Sequence, residues 1–468
     1  MRRLLPSKLY SYLGNNHFLS LASNVAVSGL GIVSVALLYR ALPIKEVGMW
    51  IFFISTIGLA DAFRTGFLTT AFIRACSGAT PARSAEVIGS AWVLALLITG
   101  AMMLLNLVAA FLPFYHPTNE TALLVRWFGV TLLATLPYYV ASNVLQSEMR
   151  FDKILYIRLL SQGIFVLGVA IMLITHTGSL EYVVYCNLAA SVGTSLMTLA
   201  LGWARVGCLR ARSSECIREL AHFGKYSFGS YVGTNLLGMS DTYFINFMLG
   251  PASLAVYSLA GRFGEIINIP LRSFMATAIP TLSAAYNQNR LDEVARLLRK
   301  NAGLLTWAFV PIILGTILLA DIPIALIGGN KYRGTEAANL LRITMSLAIL
   351  FPIDRFVGVT LDVVNQPRIN LLKVFLMLGV NIVGNTVVLL LFPNIYGITL
   401  ASFPTAIVGF VYGYLQLRRF LPLSLRAIMF TGFQEAKLFL ERVLSDLTKA
   451  QPVPNATVEP PATPSSKA

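Results

Sequence analysis

The sequence predicts an all-α integral membrane protein of about twelve transmembrane helices in two six-helix lobes, with both termini cytoplasmic. Three observations predict it. Of 468 residues, 56% are hydrophobic and only 12% are charged, about half the charge of a soluble domain. Windows of about 20 apolar residues, long enough to cross a bilayer, recur from Phe18 to Phe420 with short polar breaks. Lys and Arg collect in alternate loops, which marks those loops as cytoplasmic. The apolar runs are continuous rather than alternating, so helices and not a barrel are implied.

Taken in order, the N-terminal stretch "MRRLLPSKLYSYLGNNHFLSLASNVAVSGLGIVSVALLYRALP" carries basic residues before an apolar run. That run is longer than the ~7–15 residues of a signal peptide and has no A-x-A-like site after it, so a retained first span is expected. Twelve spans are expected, at 18–40, 47–73, 85–112, 121–146, 152–175, 180–204, 224–249, 252–284, 300–328, 336–364, 368–392 and 395–420. Between them, cations such as Arg74, Arg83, Arg150, Arg205, Arg290 and Arg418 mark every second loop, whereas "PFYHPTNET", "THTGSLE", "LGPAS" and "FPNIYG" contain none. Only Lys45, Lys331 and Arg333 break the pattern. The formal charge of +15 is therefore a topology signal before it is a nucleic-acid surface, and no nucleic-acid partner is expected.

The largest cytoplasmic loop, 205–223, separates a 1–204 lobe from a 224–420 lobe. Two halves in the same orientation follow the parallel-repeat plan of many transporters, whose substrates bind between the halves. Residues 421–450 place apolar side chains at helical spacing and predict an amphipathic cytoplasmic helix, as does "NQNRLDEVARLLRKN" before the ninth span. The Pro-rich stretch 451–468 is too poor in apolar residues to fold.

Catalytic constellations are absent from the sequence. The four cysteines, Cys76, Cys186, Cys208 and Cys216, include no C-x-x-C pair, and there is neither an H-E-x-x-H nor a phosphate-loop motif. No enzyme, metal site or cofactor is expected beyond a coupling ion, H+ or Na+. What remains is charge inside the membrane, where an ionisable group costs about 2.5–3.5 kcal/mol and usually faces a pathway. Asp61 and Arg64 lie in the second span, Asp241 in the seventh, Arg262, Glu265 and Arg272 in the eighth, and Asp354, Arg355 and Asp362 in the tenth. On one continuous helix Arg262, Glu265 and Arg272 share a narrow arc. The plain alternative is that Asp61–Arg64 and Arg262–Glu265 are self-cancelling i,i+3 pairs, which leaves Arg272 and Arg355 without a local partner. Several guanidiniums on different helices suit an anionic phosphate, because they stay charged in apolar surroundings and donate paired hydrogen bonds.

Two stretches carry a resemblance. "RALPIKEVGMW" with "GFLTTAFIR" in the first half, and "FGKYSFGSYVGTNLLGMSDTYFINFMLGPASLAVYSLAGRF" followed by "IPTLSAAYNQNRLDEV" and "GNKYRGTEAANLLRI" in the second, lie in the order seen in one family. The chain resembles the polysaccharide-biosynthesis flippases, the O-antigen and lipid-linked oligosaccharide translocases of the multidrug/oligosaccharidyl-lipid/polysaccharide exporter superfamily, over almost all of 18–420. It departs in Leu254-Ala255, where Val-Gly is common, and in Phe67, where Leu is usual.

The resemblance implies a central cationic cavity open alternately to each face of a bacterial inner membrane. Its implied substrate is a polyprenyl-pyrophosphate oligosaccharide, flipped from the cytoplasmic to the periplasmic face for polysaccharide assembly, with membrane lipids and a polymerase machinery as partners. On this reading Arg64, Arg262, Arg272 and Arg355 bind substrate, while Asp61, Asp241, Glu265 and Asp354 set the cavity potential or exchange the coupling ion. The alternatives are a cation-coupled small-molecule exporter on the same fold, a membrane polysaccharide polymerase or ligase, and an assembly scaffold.

Overall fold

The computed structural model describes residues 16–76, 79–111, 119–176 and 178–449, so the expected tail at 451–468 lies outside the described residues. All regular structure there is helical. The first half contains α1 (Asn16–Ala41), α2 (Ile44–Cys76), α3 (Pro81–Ala110), α4 (Asn119–Ser147), α5 (Phe151–Thr175) and α6 (Leu180–Ala200). A 3-10 segment, Val206–Ala211, leads to α7 (Ser214–Leu249), α8 (Pro251–Arg262), α9 (Gly264–Asn287), α10 (Leu291–Leu318) and the short α11 (Asp321–Gly328). Then follow α12 (Ala337–Leu347), α13 (Phe351–Val363), α14 (Pro367–Leu391), α15 (Ile395–Leu417) and α16 (Leu425–Lys449).

Local chemistry sets the helix ends. Thr80, Ser179, Ser213 and Asn394 cap α3, α6, α7 and α15 by accepting from first-turn N–H groups. Pro81, Pro251 and Pro367 stand in first turns, where the missing N–H costs nothing. Gly250, at φ +84°, makes the sharp step from α7 to α8.

Among the described residues eight helices are long and apolar enough to cross a membrane: α2 to α6, α10, α14 and α15. Their outer faces expose large apolar side chains such as Leu105, Ile174, Leu318 and Leu390, while Thr131, Thr194, Asn381 and Asn385 are buried. Such an extensive apolar exterior belongs in lipid, not water. The chain is a multi-pass integral membrane protein.

The segments that fall short of this measure are the broken or polar ones. The expected eighth span is two helices, interrupted at Phe263, so Arg262 does not share a helix with Glu265. The tenth is interrupted by the 3-10 turn Ala348–Leu350 just before Pro352. The amphipathic stretch expected to lie on the surface before the ninth span is instead the start of α10. Val294, Ala295 and Leu298 continue the buried stripe of Ala302, Leu305 and Phe309, and no breaker separates them. α16 packs on α10, where Gly303 and Gly432 meet backbone to backbone and Trp307 donates to the Met429 carbonyl at 3.0 Å.

Turns at opposite helix ends define two faces. α2 and α7 pack along much of their length, with Gly66 against Tyr231 and Gly224 against the Phe67 backbone, and on one face hydrogen bonds also join the halves. The Tyr39 hydroxyl donates to the Ala255 carbonyl at 3.1 Å, Arg40 to the Leu326 carbonyl at 2.7 Å, and Lys331 to the Leu42 carbonyl. Gly48 lies so close to Pro251 that a Cβ there would collide with its carbonyl. α2 and α8 pack along this joint. Towards the other face α9 packs on α10 and α13 and makes no comparable contact with a first-half helix.

Candidate functional site

The intramembrane charges expected from the sequence fall into four separate places. Between α2 and α4, Arg64 is only 2% exposed. Its guanidinium donates to Asp61 at 2.5 Å, to Thr135 Oγ1 at 3.0 Å and to the Leu132 carbonyl at 3.4 Å, and lies 4.3 Å over the Tyr139 ring. Nε is buried without a partner. Asp61, 35% exposed, is the member of the pair that reaches the edge of the bundle. Here the i,i+3 pair forms as the helical spacing requires, and the fork of Arg64 is occupied within the protein.

α8 and α9 hold the second group. Arg262, Glu265 and Arg272 are exposed, but Arg262 and Glu265 do not pair. Glu265 takes Arg272, two turns on, instead. Arg272 thus has a partner two turns away that the i,i+3 and i,i+4 spacings did not offer. Glu265 and Arg272 remain 53% and 66% exposed. Charges on a lipid-facing surface would each cost about 2.5–3.5 kcal/mol at the bilayer centre, so the exposed Glu265 and Arg272 argue for water beside this face of α9. Arg262 has no ion pair among the described residues.

In the third place, α7, α8 and α14 converge on Asp241. The Tyr257 hydroxyl donates to its carboxylate at 2.7 Å, Asn385 Nδ2 at 2.8 Å and Asn381 Nδ2 at 3.1 Å. Ser240 donates to Asn381 Oδ1 in turn. No Lys or Arg pairs with Asp241 among the described residues, and Asn385 Oδ1 is a buried acceptor without a partner. A carboxylate wrapped in neutral donors keeps its negative potential, and the spare amide oxygen adds to it.

Asp354 of α13 forms the fourth. Lys373 of α14, 4% exposed, threads past Gly413, whose Cβ would sit 3.2 Å from its Cδ, to reach Asp354. Asp362 accepts from Asn370 Nδ2 at 3.0 Å. Arg355 is exposed and forms no ion pair among the described residues.

The charges thus do not converge in one cluster. Arg262 ends α8, Glu265 and Arg272 lie on α9, Arg64 sits between α2 and α4, and Asp241 and Asp354 occupy separate polar pockets of the second half. Sequence reasoning missed Lys373, Asn381, Asn385 and Tyr139. The Asn381-x-x-x-Asn385 step inside an apolar run was a usable signal, since i,i+4 amides share one helix face.

A family model described as polysaccharide biosynthesis protein matches residues 37–337. At 22% identity over 389 residues, 82% of this chain and 78% of the relative, the chain is similar to the probable low-salt glycan biosynthesis flippase Agl15 of Haloferax volcanii. In fold it is similar to the lipid II flippase MurJ in an inward closed conformation, with a TM-score of 0.70, 15% identity and coverage of 92% of this chain and 93% of that one. It is likewise similar to the inward-facing conformation of a multidrug resistance MATE family transporter of the MOP superfamily, with a TM-score of 0.68, 16% identity and coverage of 84% and 95%.

Proposed function

The chain belongs to the polysaccharide biosynthesis protein family, and from that premise we propose that it is a translocase that flips a lipid-linked oligosaccharide from the cytoplasmic to the periplasmic face of the bacterial inner membrane. Twelve crossings in two lobes, 1–204 and 224–420, with cytoplasmic termini, agree with the alternation of basic loops. The face where Tyr39, Arg40 and Lys331 join the halves is then periplasmic, and α9 runs from Glu265 and Arg272 towards the cytoplasm, where the substrate is assembled.

One observation carries this reading: Arg262 and Arg272 stand exposed on a broken, charged segment inside an otherwise apolar bundle. Two exposed guanidiniums within an otherwise apolar bundle hold a pyrophosphate by charge-assisted, paired hydrogen bonds. Glu265 keeps Arg272 oriented until phosphate oxygens replace it, and Arg355 adds a further exposed cation. Arg64 acts through Asp61, which it presents at the bundle edge. Asp354 is held by Lys373 and ties α13 to α14. The work is binding and movement, with no bond made or broken, so the protein is not an enzyme.

Asp241 is the group suited to a coupling ion, H+ or Na+. Its carboxylate lacks a cationic partner, and the unpartnered Asn385 Oδ1 beside it is the hard oxygen donor such an ion takes. Gradient energy of about 2.3 kcal/mol per charge per 100 mV is sufficient to bias the cycle.

A double variant, Arg262→Ala with Arg272→Ala, tests the assignment. Each charge-assisted contact is worth about 1.5–3 kcal/mol, so flipping should fall at least ~100-fold. Lipid-linked oligosaccharide should accumulate on the cytoplasmic leaflet while membrane insertion stays normal. Unchanged surface polysaccharide would sink the proposal. Accumulation of single units on the outer leaflet would point to a polymerase, and a drug-efflux defect without a glycan defect to an exporter.

A further inference from the structure

We propose that the groove between the end of α1 and the 329–334 segment binds the phosphate of a lipid headgroup. That this face is periplasmic rests on the translocase reading; the binding chemistry does not.

The starting point is an exception. Lys331 and Arg333 are cations in a loop of the series that, Lys45 apart, otherwise carries no Lys or Arg. The structure accounts for Lys331, which donates to the Leu42 carbonyl and so anchors the segment to the α1–α2 turn. It gives Arg333 no such work. Gly329 and Gly334, at φ +76° and +75°, bracket a tight 3-10 turn. Within it Tyr332 is wholly buried and packs against Tyr39 with ring centroids 5.3 Å apart. The segment is fixed on both sides of Arg333, whose exposed side chain lines a groove of about 570 Å³.

Arg40 lines the same groove from the other half of the chain. It donates to the Leu326 carbonyl at 2.7 Å and forms no ion pair among the described residues. The acid on the wall, Asp321, does not neutralise them, because Arg342 takes it at 2.6 Å. Two unopposed guanidiniums, one from each half, therefore face one space. Its remaining wall is apolar: Ile322 and Leu326 of α11 are 62% and 66% exposed, next to the lipid-facing Leu318 and Leu319. An anionic head beside a hydrocarbon wall is the profile of a phospholipid or polyprenyl phosphate. A free sugar would leave the guanidiniums without a counter-charge, and a peptide would not match the lipid-facing edge. Because Arg40 and Arg333 lie on opposite halves, a bound phosphate bridges them and favours the state in which this face is closed.

The full-length protein in phosphatidylcholine nanodiscs, with and without phosphatidylglycerol, provides the test, with retained lipid read by native mass spectrometry. Wild type should retain phosphatidylglycerol. Arg40→Gln with Arg333→Gln should lower its occupancy about tenfold, whereas Arg262→Gln with Arg272→Gln should not. Should the double variant fail to fold, Arg333→Glu on the exposed turn gives the same comparison. Equal retention in the groove variants overturns the proposal. Binding of inorganic pyrophosphate that depends on Arg40 and Arg333, without lipid retention, overturns its lipid part. These readouts need no flipping, so a failure here and a failure of the translocase reading are separately visible.

Discussion

Asp61 in the first half and Asp241 in the second are both acids inside a helical bundle, and their surroundings are opposite. Asp61 lies 2.5 Å from a buried guanidinium that also holds Thr135, Leu132 and the face of Tyr139. Asp241 is met only by a phenol and two amides. A carboxylate with a resident cation is already neutralised and serves to fix helices. One surrounded by neutral dipoles keeps its field available for a mobile cation. The Asp61 pocket is thereby built to stay assembled, as is the Lys373–Asp354 pair of the second half, whereas the Asp241 pocket suits the coupling ion proposed above.

The comparison can be broken most sharply at Arg64. Replacing it by Ala leaves the Asp61 charge and the donors' partners behind, and should cost about 3 kcal/mol, the lower end for a buried pair because Asp61 is partly solvated. Thermal melting of the purified protein would show it, and Asp61→Ala added to Arg64→Ala should recover part of the loss. Unchanged melting would mean that the first-half pair does not hold helices together.

At Asp241 the expectation is different in kind. Asp241→Asn should change stability in ion-free buffer by no more than ~1 kcal/mol. It should erase the stabilisation by Na+ or acid, which in the wild type reaches about 2.7 kcal/mol at an ion concentration a hundred times Kd. An Asn variant that keeps its ion-dependent shift would place coupling elsewhere.

Smallest is Tyr257→Phe, which removes one hydrogen bond to the carboxylate. About 1.5 kcal/mol is at stake, appearing as roughly tenfold weaker ion dependence with the same ion preference. No change would show that Tyr257 only fills space between α8 and α7.

The membrane class, the positions of most helices and the charged residues worth attention were legible in the sequence, since apolar run length and loop charge act locally. The partners were not. Asp61–Arg64 could be anticipated because both sit on one unbroken helix. Arg262–Glu265 has the same spacing yet does not pair, because Glu265 takes Arg272, two turns on, instead. Lys373 lay unnoticed in an apolar run, as its reason is Asp354 on a neighbouring helix, reached only because Gly413 leaves room for its stem. The amides at Asn381 and Asn385 likewise acquire meaning only when α7 delivers Asp241 to them. Pairings of this kind depend on tertiary geometry, which no window of one helix encodes.

The backbone contact between Gly303 and Gly432 welds the amphipathic α16 to a bundle helix. Phe433 packs edge-on against Trp307 of α10, and Phe430 is an exposed aromatic of the sort that sits among lipid headgroups. Any tilt of α10 must carry this helix with it through the adjoining leaflet, like an oar in its lock. The stiffness and charge of that leaflet thereby become a mechanical load on the second half, independent of anything held between the lobes.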